Sequence, residues 1–254
     1  MSIFRSRKKE IAPQTIATPS TAEEIIPADM KEGDFSELFR LCRPFTMTSI
    51  ERLYSLYKAM RYVIANNIPG DFIECGVWKG GSSLMMAKML AMHGIYDRKV
   101  ILYDTYEGMS EPTEHDKDYA GVSADVLLDK SSIEVQDSVW CYSSFDEVKN
   151  NLMLSGLPEE NIIMIKGKVE DTIPSQVPAM QIALLRLDTD WYESTRHELE
   201  HLYPMLVPNG VLIIDDYGHW EGCRKAVDEY VKNNNLNILL SRIDNTGRIA
   251  IKNS

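Results

Sequence analysis

The chain is poor in cysteine. Of its 254 residues only Cys42, Cys75, Cys141 and Cys223 are cysteines, far apart and never as CxxC. That excludes a zinc ribbon and a disulfide scaffold, and reduced thiols are the expected state. No apolar run approaches the roughly 18 residues of a membrane span. The basic opening MSIFRSRKKEIAPQT carries no apolar core of a signal peptide. A soluble, cytoplasmic protein is therefore expected. Bases are scarce too: 27 Lys and Arg face 38 Asp and Glu, a net charge of −11. Nucleic acid and anionic lipid need a basic face, so neither is expected as a partner. There is no GxGxxG, no Lys-Ser/Thr after a glycine turn as a P-loop requires, and no HExxH. His197 and His201 stand four apart but lack the zincin pattern between them, so they read as surface histidines and not zinc ligands.

What is present is ordinary globular composition, 44% hydrophobic and 26% charged, with enough length to bury about 73% of the extended chain's surface around one core. Residues 1–34 are rich in Pro, Thr, Ala and Lys without a period and read as a flexible N-terminal arm. From residue 35 onward a single domain is expected, to 254. In SIERLYSLYKAMRYVIANN the apolar residues Ile50, Leu53, Leu56, Tyr57, Met60, Val63 and Ile64 recur at three and four, a helix that Pro69-Gly70 stops. Short apolar runs then alternate with helical stretches: 71–76, 99–104, 161–167, 182–188, 210–216, 237–243 and 248–253. Continuous Ile, Val and Leu mark buried parallel strands, and the stretches between are long enough for crossover helices. The predicted fold is α/β and Rossmann-like: a seven-stranded, mostly parallel sheet with one antiparallel edge strand after a DNTG hairpin, and helices on both faces. The segment from about 105 to 146 breaks the alternation. It is acidic and aromatic, and reads as a lid or binding loop.

Ligands of open α/β sheets sit beyond the carboxyl ends of the strands, and polar residues collect there. The first strand ends ECGVWKGGSS, from Glu74 and Cys75 through Gly76 and Gly80 to Ser82 and Ser83. Its glycines permit a tight turn and close backbone approach, and the next helix begins with free N–H groups suited to an anion. The second strand ends at Asp104, 23 residues beyond Gly81, near the spacing of the acid that accepts ribose hydroxyls in dinucleotide folds. Together they suggest a nucleoside cofactor. The fourth and fifth strands end in LDTD and DD: Asp188, Asp190, Asp215 and Asp216. Carboxylates crowded at neighbouring strand ends raise one another's pKa or share a divalent cation, and all-oxygen ligands favour Mg²⁺. Arg186, inside an apolar strand, is expected to pair with a buried carboxylate. Trp140, Trp191, Trp220, Tyr192 and Tyr217 suit either a sugar-stacking platform or core packing.

The blocks ECGVWKGGSS, YDTYEGM, GKVEDTIP, LRLDTDWYEST and LIIDDYGHWEGCRKAVDEY occur in order over roughly residues 35–250. In this they resemble the macrocin O-methyltransferase (TylF-type) family of S-adenosylmethionine- and Mg²⁺-dependent sugar O-methyltransferases. The resemblance implies that Asp188, Asp215 and Asp216 hold Mg²⁺. It also implies that the ECG turn, Asp104 and Gly167, Lys168 and Val169 contact the cofactor. Val169 departs from the aromatic the family often carries there. A glycoside or sugar acceptor and a homo-oligomer are further implied. Methyl transfer from a sulfonium to an alcohol is an in-line displacement that needs a partly deprotonated hydroxyl. Asp188 is the expected general base, with His219 as the alternative. Two rival readings belong to other classes. LRLDTD also fits the DxD metal-nucleotide site of glycosyltransferases, and the second rival is a non-enzymatic module of the same fold that acts through its N-terminal arm in an assembly. The aspartyl-phosphatase motif is poorer, since Tyr192 stands where its Thr belongs.

Overall fold

A computed structural model describes residues 25–135 and 138–253. Five strands pair in parallel: β1 (Asp71–Cys75), β2 (Val100–Asp104), β3 (Ile162–Lys166), β4 (Ile182–Leu187) and β5 (Leu206–Ile214). Beyond β5 lie β7 (Arg248–Ile251), antiparallel to it, and β6 (Ser241–Arg242), giving the order β3-β2-β1-β4-β5-β7-β6. The antiparallel strand thus sits one place in from the edge. Of the run 237–243, only two residues join the ladder, with Leu239 80% exposed beside it. A short edge leaves few open backbone groups for another chain to pair with.

Alternate strand residues feed two cores. Phe72, Leu102, Leu184 and Ile213 face helices α1 (Phe35–Cys42), α2 (Ile50–Ala65), α3 (Gly81–Met92) and α5 (Phe145–Met153). Ile73, Ile101, Leu185 and Ile214 face α4 (Ala124–Asp129), α6 (Val169–Thr172), α7 (Tyr192–Leu202) and α8 (Glu221–Asn233). Burial on both sides explains why these strands read as unbroken apolar runs. Helix α3 is covered on nearly all sides, Met85, Met86 and Met89 among its buried residues, so these methionines are packing and not a ligand box. Ser49 caps α2, accepting the amide of Arg52 at 3.1 Å.

Two segments are more ordered than their composition suggests. Of the expected arm, residues 25–34 are described and lie against α2: Ile26 is buried, and Glu32 accepts from Tyr54 Oη at 2.8 Å and Lys58 Nζ at 2.6 Å. Residues 1–24 lie outside the described residues. The 105–146 segment is folded over the sheet, with α4 inside it. Its anchor is Asp116, fully buried, which accepts the amides of Thr113 (2.6 Å) and Tyr192 (2.8 Å). Gly222 makes room for it, because a Cβ there would lie 1.9 Å from Asp116 Oδ1. Backbone bridges Lys117–Ser123 and Asp118–Trp220 fasten the segment further. Among the described residues no helix is long and apolar enough to cross a membrane.

Candidate active site

The carboxyl ends of β1, β2, β4 and β5 open into one cavity of about 360 Å³. Glu74, Gly76, Ser82, Asp104, Gly167, Lys168, Val169, Asp188, Asp215, Asp216 and His219 all line it. Cys75 and Gly80 do not. Side chains alternate along a strand, so Cys75 points into the α7 core, fully buried, with its thiol pKa pushed up by that burial. Gly80 takes a left-handed φ of +86° as the N-cap of α3, and its Cα faces Val148. The 105–146 segment supplies one wall, through Gly108, Met109, Ser138 and Cys141 among others.

At the β1 end the chain satisfies itself. Gly76 has φ +79°, and a Cβ there would lie 1.9 Å from the carbonyl oxygen of Asp188, so only glycine allows the β1 and β4 ends to approach this closely. Asp104 accepts the amides of Val77 (2.6 Å) and Trp78 (3.2 Å) on one oxygen and that of Tyr106 (2.7 Å) on the other. Burial raises its pKa while those amides oppose the rise. The acid expected to reach a ribose thus first ties the glycine turn to β2.

The β4–β5 end is built differently. Arg186, buried among apolar strand residues, bridges Glu74, Asp188 (2.6 Å) and Asp215 (2.6 Å), the pairing expected of it. Arg52 pairs with the other oxygen of Asp215 and, through Nε, with Asp244 at 3.1 Å. Two guanidiniums therefore face Glu74, Asp188, Asp190, Asp215, Asp216 and Asp244, leaving a surplus of negative charge. Its cost falls on the carboxyl groups themselves. Burial, with Asp215 and Asp216 adding to it against Arg186, holds Asp188 well above the usual carboxylate range. Burial, then the charges of Asp190 and Asp215, does the same to Asp216, and burial raises Asp190 to about 7.

One oxygen from each of Asp188, Asp215 and Asp216 lies within 4.8 Å of the others. Oδ2 of Asp216 is buried and has no hydrogen-bond partner. An orphaned carboxylate oxygen beside two more carboxylates is a donor set suited to a hard divalent cation, so these residues fit the metal expected of them.

The other expectations separate. His219 lines the cavity with its ring edge-on to Tyr119 (5.5 Å) and Trp220 (4.8 Å), its pKa lowered chiefly by burial. Trp191 and Trp220 are buried, 4.8 Å apart edge to face; Trp220 also borders the cavity. His197 and His201 each have a ring nitrogen on a backbone carbonyl, of Ile173 and His197, away from any carboxylate cluster. Sequence reasoning missed Arg52 and the Thr46–Thr48 loop, which the N-terminal helices bring to the cavity wall. The only available signal was an arginine beside the apolar stripe of α2.

Known proteins match this arrangement. The solved O-methyltransferase NovP superposes with a TM-score of 0.73 at 33% identity, covering 83% of each chain. The calicheamicin methyltransferase CalS11 shares the fold at a TM-score of 0.61 and 19% identity, covering 85% of this chain and 90% of its own. Fold and site together define an O-methyltransferase of the Rossmann-like class. The profile of the macrocin O-methyltransferase (TylF) family matches residues 40–251, and the chain belongs to that family. Among its relatives is demethyldecarbamoylnovobiocin O-methyltransferase of Streptomyces niveus, 37% identical over 73% of this chain and 67% of that one. Another is the 8-demethyl-8-(2,3-dimethoxy-alpha-L-rhamnosyl)-tetracenomycin-C 4'-O-methyltransferase of Streptomyces olivaceus, 35% identical over 80% of this chain and 73% of that one. As a member of an O-methyltransferase family the chain is an enzyme, and neither the glycosyltransferase nor the non-enzymatic module stands.

Proposed function

We propose that the enzyme moves a methyl group from S-adenosylmethionine to a hydroxyl of a sugar, carried on a natural product or glycoside, with Mg²⁺ held by Asp188, Asp215 and Asp216. The observation that carries the reading is the unpartnered, buried Oδ2 of Asp216 beside Asp188 and Asp215, in a cavity that the glycine turn also lines. A bound divalent cation would supply the acidification that an unassisted sugar hydroxyl lacks.

The chain's own groups account for the rest. The first turn of α3, with Ser82, offers backbone amides to the donor's carboxylate, and the Gly76 turn, whose own amides are bonded within the chain, holds that helix end in place. The spare acceptor capacity of Asp104 is assigned to the ribose, and Gly167, Lys168 and Val169 border the base. Val169, buried and aliphatic, gives that base an apolar wall in place of a stacking ring. Asp188 is the general base: it is 26% exposed, at the cavity, and Arg186 fixes Oδ2 so that the other oxygen is available to take the hydroxyl proton. His219, desolvated and flanked by rings, lines the same cavity and is the alternative base. The 105–146 wall excludes water from the transfer. One relative named above is by its name an O-methyltransferase of demethyldecarbamoylnovobiocin and the other of a rhamnosyl-tetracenomycin, and the sugar in the second name supports a glycosylated acceptor.

Calorimetry tests the donor: S-adenosylhomocysteine is expected to bind and UDP-sugars to give no heat, the reverse pattern defeating the reading. Initial rates with labelled S-adenosylmethionine, Mg²⁺ and a panel of glycosides then identify the acceptor.

A further inference from the structure

The carboxylates of the β4–β5 end carry a feature that the methyl-transfer reading does not use. Both oxygens of Asp215 are already taken by guanidinium groups, Oδ1 by Arg186 Nη2 and Oδ2 by Arg52 Nη1. The two arginines are not equivalent. Arg186 grows from the middle of the sheet, its side chain 4% exposed and fixed by three carboxylates. Arg52 comes from the first turn of α2, is 15% exposed, and borders the cavity. Its second partner, Asp244, belongs to the β6–β7 turn. The Nε contact there, 3.1 Å, lacks hydrogen-bond alignment and leaves Nε without a partner in that sense. Asp244 is better held by others: Ser49 Oγ donates to its Oδ2 at 2.6 Å, and the amides of Thr246 and Gly247 donate to its Oδ1 at 2.9 and 2.7 Å.

We propose that Arg52 is a stand-in cation, occupying Asp215 Oδ2 in the metal-free chain and yielding it to the divalent ion, with Asp244 as the partner that receives the guanidinium afterward. The inference rests on the metal reading above. Its physical basis is charge and geometry. An acidic cluster without its ion is self-repelling, and a flexible side chain bringing one positive charge relieves part of that repulsion. Two cations cannot share one carboxylate oxygen in a buried site without mutual repulsion, so ion binding and the Arg52–Asp215 pair oppose each other. Because Arg52 lies three residues after Ser49 in α2, and Ser49 itself holds Asp244, the displaced guanidinium has a fixed acceptor at the hairpin tip. Arg52 is in this sense a positioning residue. It couples occupancy of the β4–β5 end to the N-terminal wall, where Thr46, Met47 and Thr48 border the cavity.

The test is Mn²⁺ binding to the full chain, read by electron paramagnetic resonance, with thermal melting beside it. Arg52→Met is expected to bind Mn²⁺ about tenfold more tightly than wild type, since a like charge at ion-pair distance has been removed. It should also melt lower without metal and show a larger metal-induced upshift. Asp244→Asn keeps an acceptor for the turn amides but withdraws the charge that draws Arg52 away from Asp215. Mn²⁺ should then bind about threefold more weakly. A residue that merely braced Asp215 would give the opposite sign in Arg52→Met. If wild type binds Mn²⁺ and Arg52→Met binds it equally or less tightly, the stand-in role is wrong while the metal reading survives. If wild type binds none at millimolar concentration, the metal reading fails and this inference with it. Should Arg52→Met not fold, the Asp244→Asn arm decides: unchanged or tighter Mn²⁺ binding overturns the proposal.

Discussion

The two ends of the cavity are built from the same material, carboxylates at strand ends, and solve the same electrostatic problem in opposite ways. At the β1–β2 end Asp104 is answered by three amides of its own chain, and the turn it holds is complete without any guest. At the β4–β5 end several carboxylates converge on two guanidiniums, and Asp216 Oδ2 has no partner. Satisfied groups build a rigid cradle, whereas an unsatisfied buried acceptor costs free energy until something cationic reaches it. In the proposed reading the first end holds the donor in place and the second carries the electrostatic chemistry. Substitutions at each end should fail in different ways.

The largest separation is expected from Asp188→Asn and Asp216→Asn. Each keeps shape and removes charge at the chemical end, so methyl transfer should fall by about 10³-fold or more, the scale of losing a general base or a metal-assisted step. S-adenosylhomocysteine affinity should fall far less than the rate, because neither side chain is among those the proposed reading gives to the donor. Rates with labelled donor and calorimetry read the two quantities. A variant that loses donor affinity and keeps its rate would erase the distinction between the ends.

Next in size is the wall that both ends share. Asp116→Ala removes the buried acceptor of the Thr113 and Tyr192 amides and leaves both without a partner, at about 2–3 kcal/mol. Limited proteolysis within 105–146 should speed up while the sheet stays folded by circular dichroism. Uniform loss of the whole fold would show instead that the wall and the sheet are one cooperative unit. Smaller again is Asp104→Asn. The new amide nitrogen faces a backbone N–H on one side, so about 1–2 kcal/mol of stability and part of the donor affinity should go together. If affinity falls with no change in melting temperature, Asp104 serves the ribose alone and its bracing of the turn is incidental.

Much of this contrast was legible in the sequence, and the reason is periodicity. Strands buried on both faces must be continuously apolar, so Asp104, Asp188, Asp215 and Asp216 stood out as polar residues terminating apolar runs. The glycine turn was legible because Gly76 has no steric alternative. Less visible were the contacts made between distant segments. Arg52 lies 163 residues from Asp215, and nothing local distinguishes it from a solvated helix arginine. The 105–146 segment reads as loop because its anchor, Asp116, works through long-range bonds to Tyr192 and space left by Gly222. Cys75 was grouped with the cradle by its neighbours in sequence, yet the two-residue period of a strand turns it to the opposite face. The edge strand, likewise, reads as a seven-residue run, yet only Ser241 and Arg242 pair with β7.

Glu198 gives the smallest predicted effect and refines the comparison, because it is a buried acid that does not line the cavity. It sits fully buried on α7, accepts from Thr189 Oγ1 at 2.9 Å, and its Oε2 has no partner. Burial holds its pKa well above the usual carboxylate range, against the opposing bond from Thr189. A carboxyl whose folded pKa is raised favours the folded state fully only below its unfolded value. That advantage drains away as pH rises through the folded one, leaving a constant penalty above it. Glu198→Gln carries the same shape without ionisation. The variant should melt close to wild type near pH 4.5 and increasingly above it as pH climbs, with activity little changed because Glu198 does not line the cavity. The melting-temperature difference as a function of pH is the measurement. A flat difference would mean that Glu198 ionises in the folded chain as readily as in the unfolded one, and the boundary between the chemical end and the α7 core would have to move.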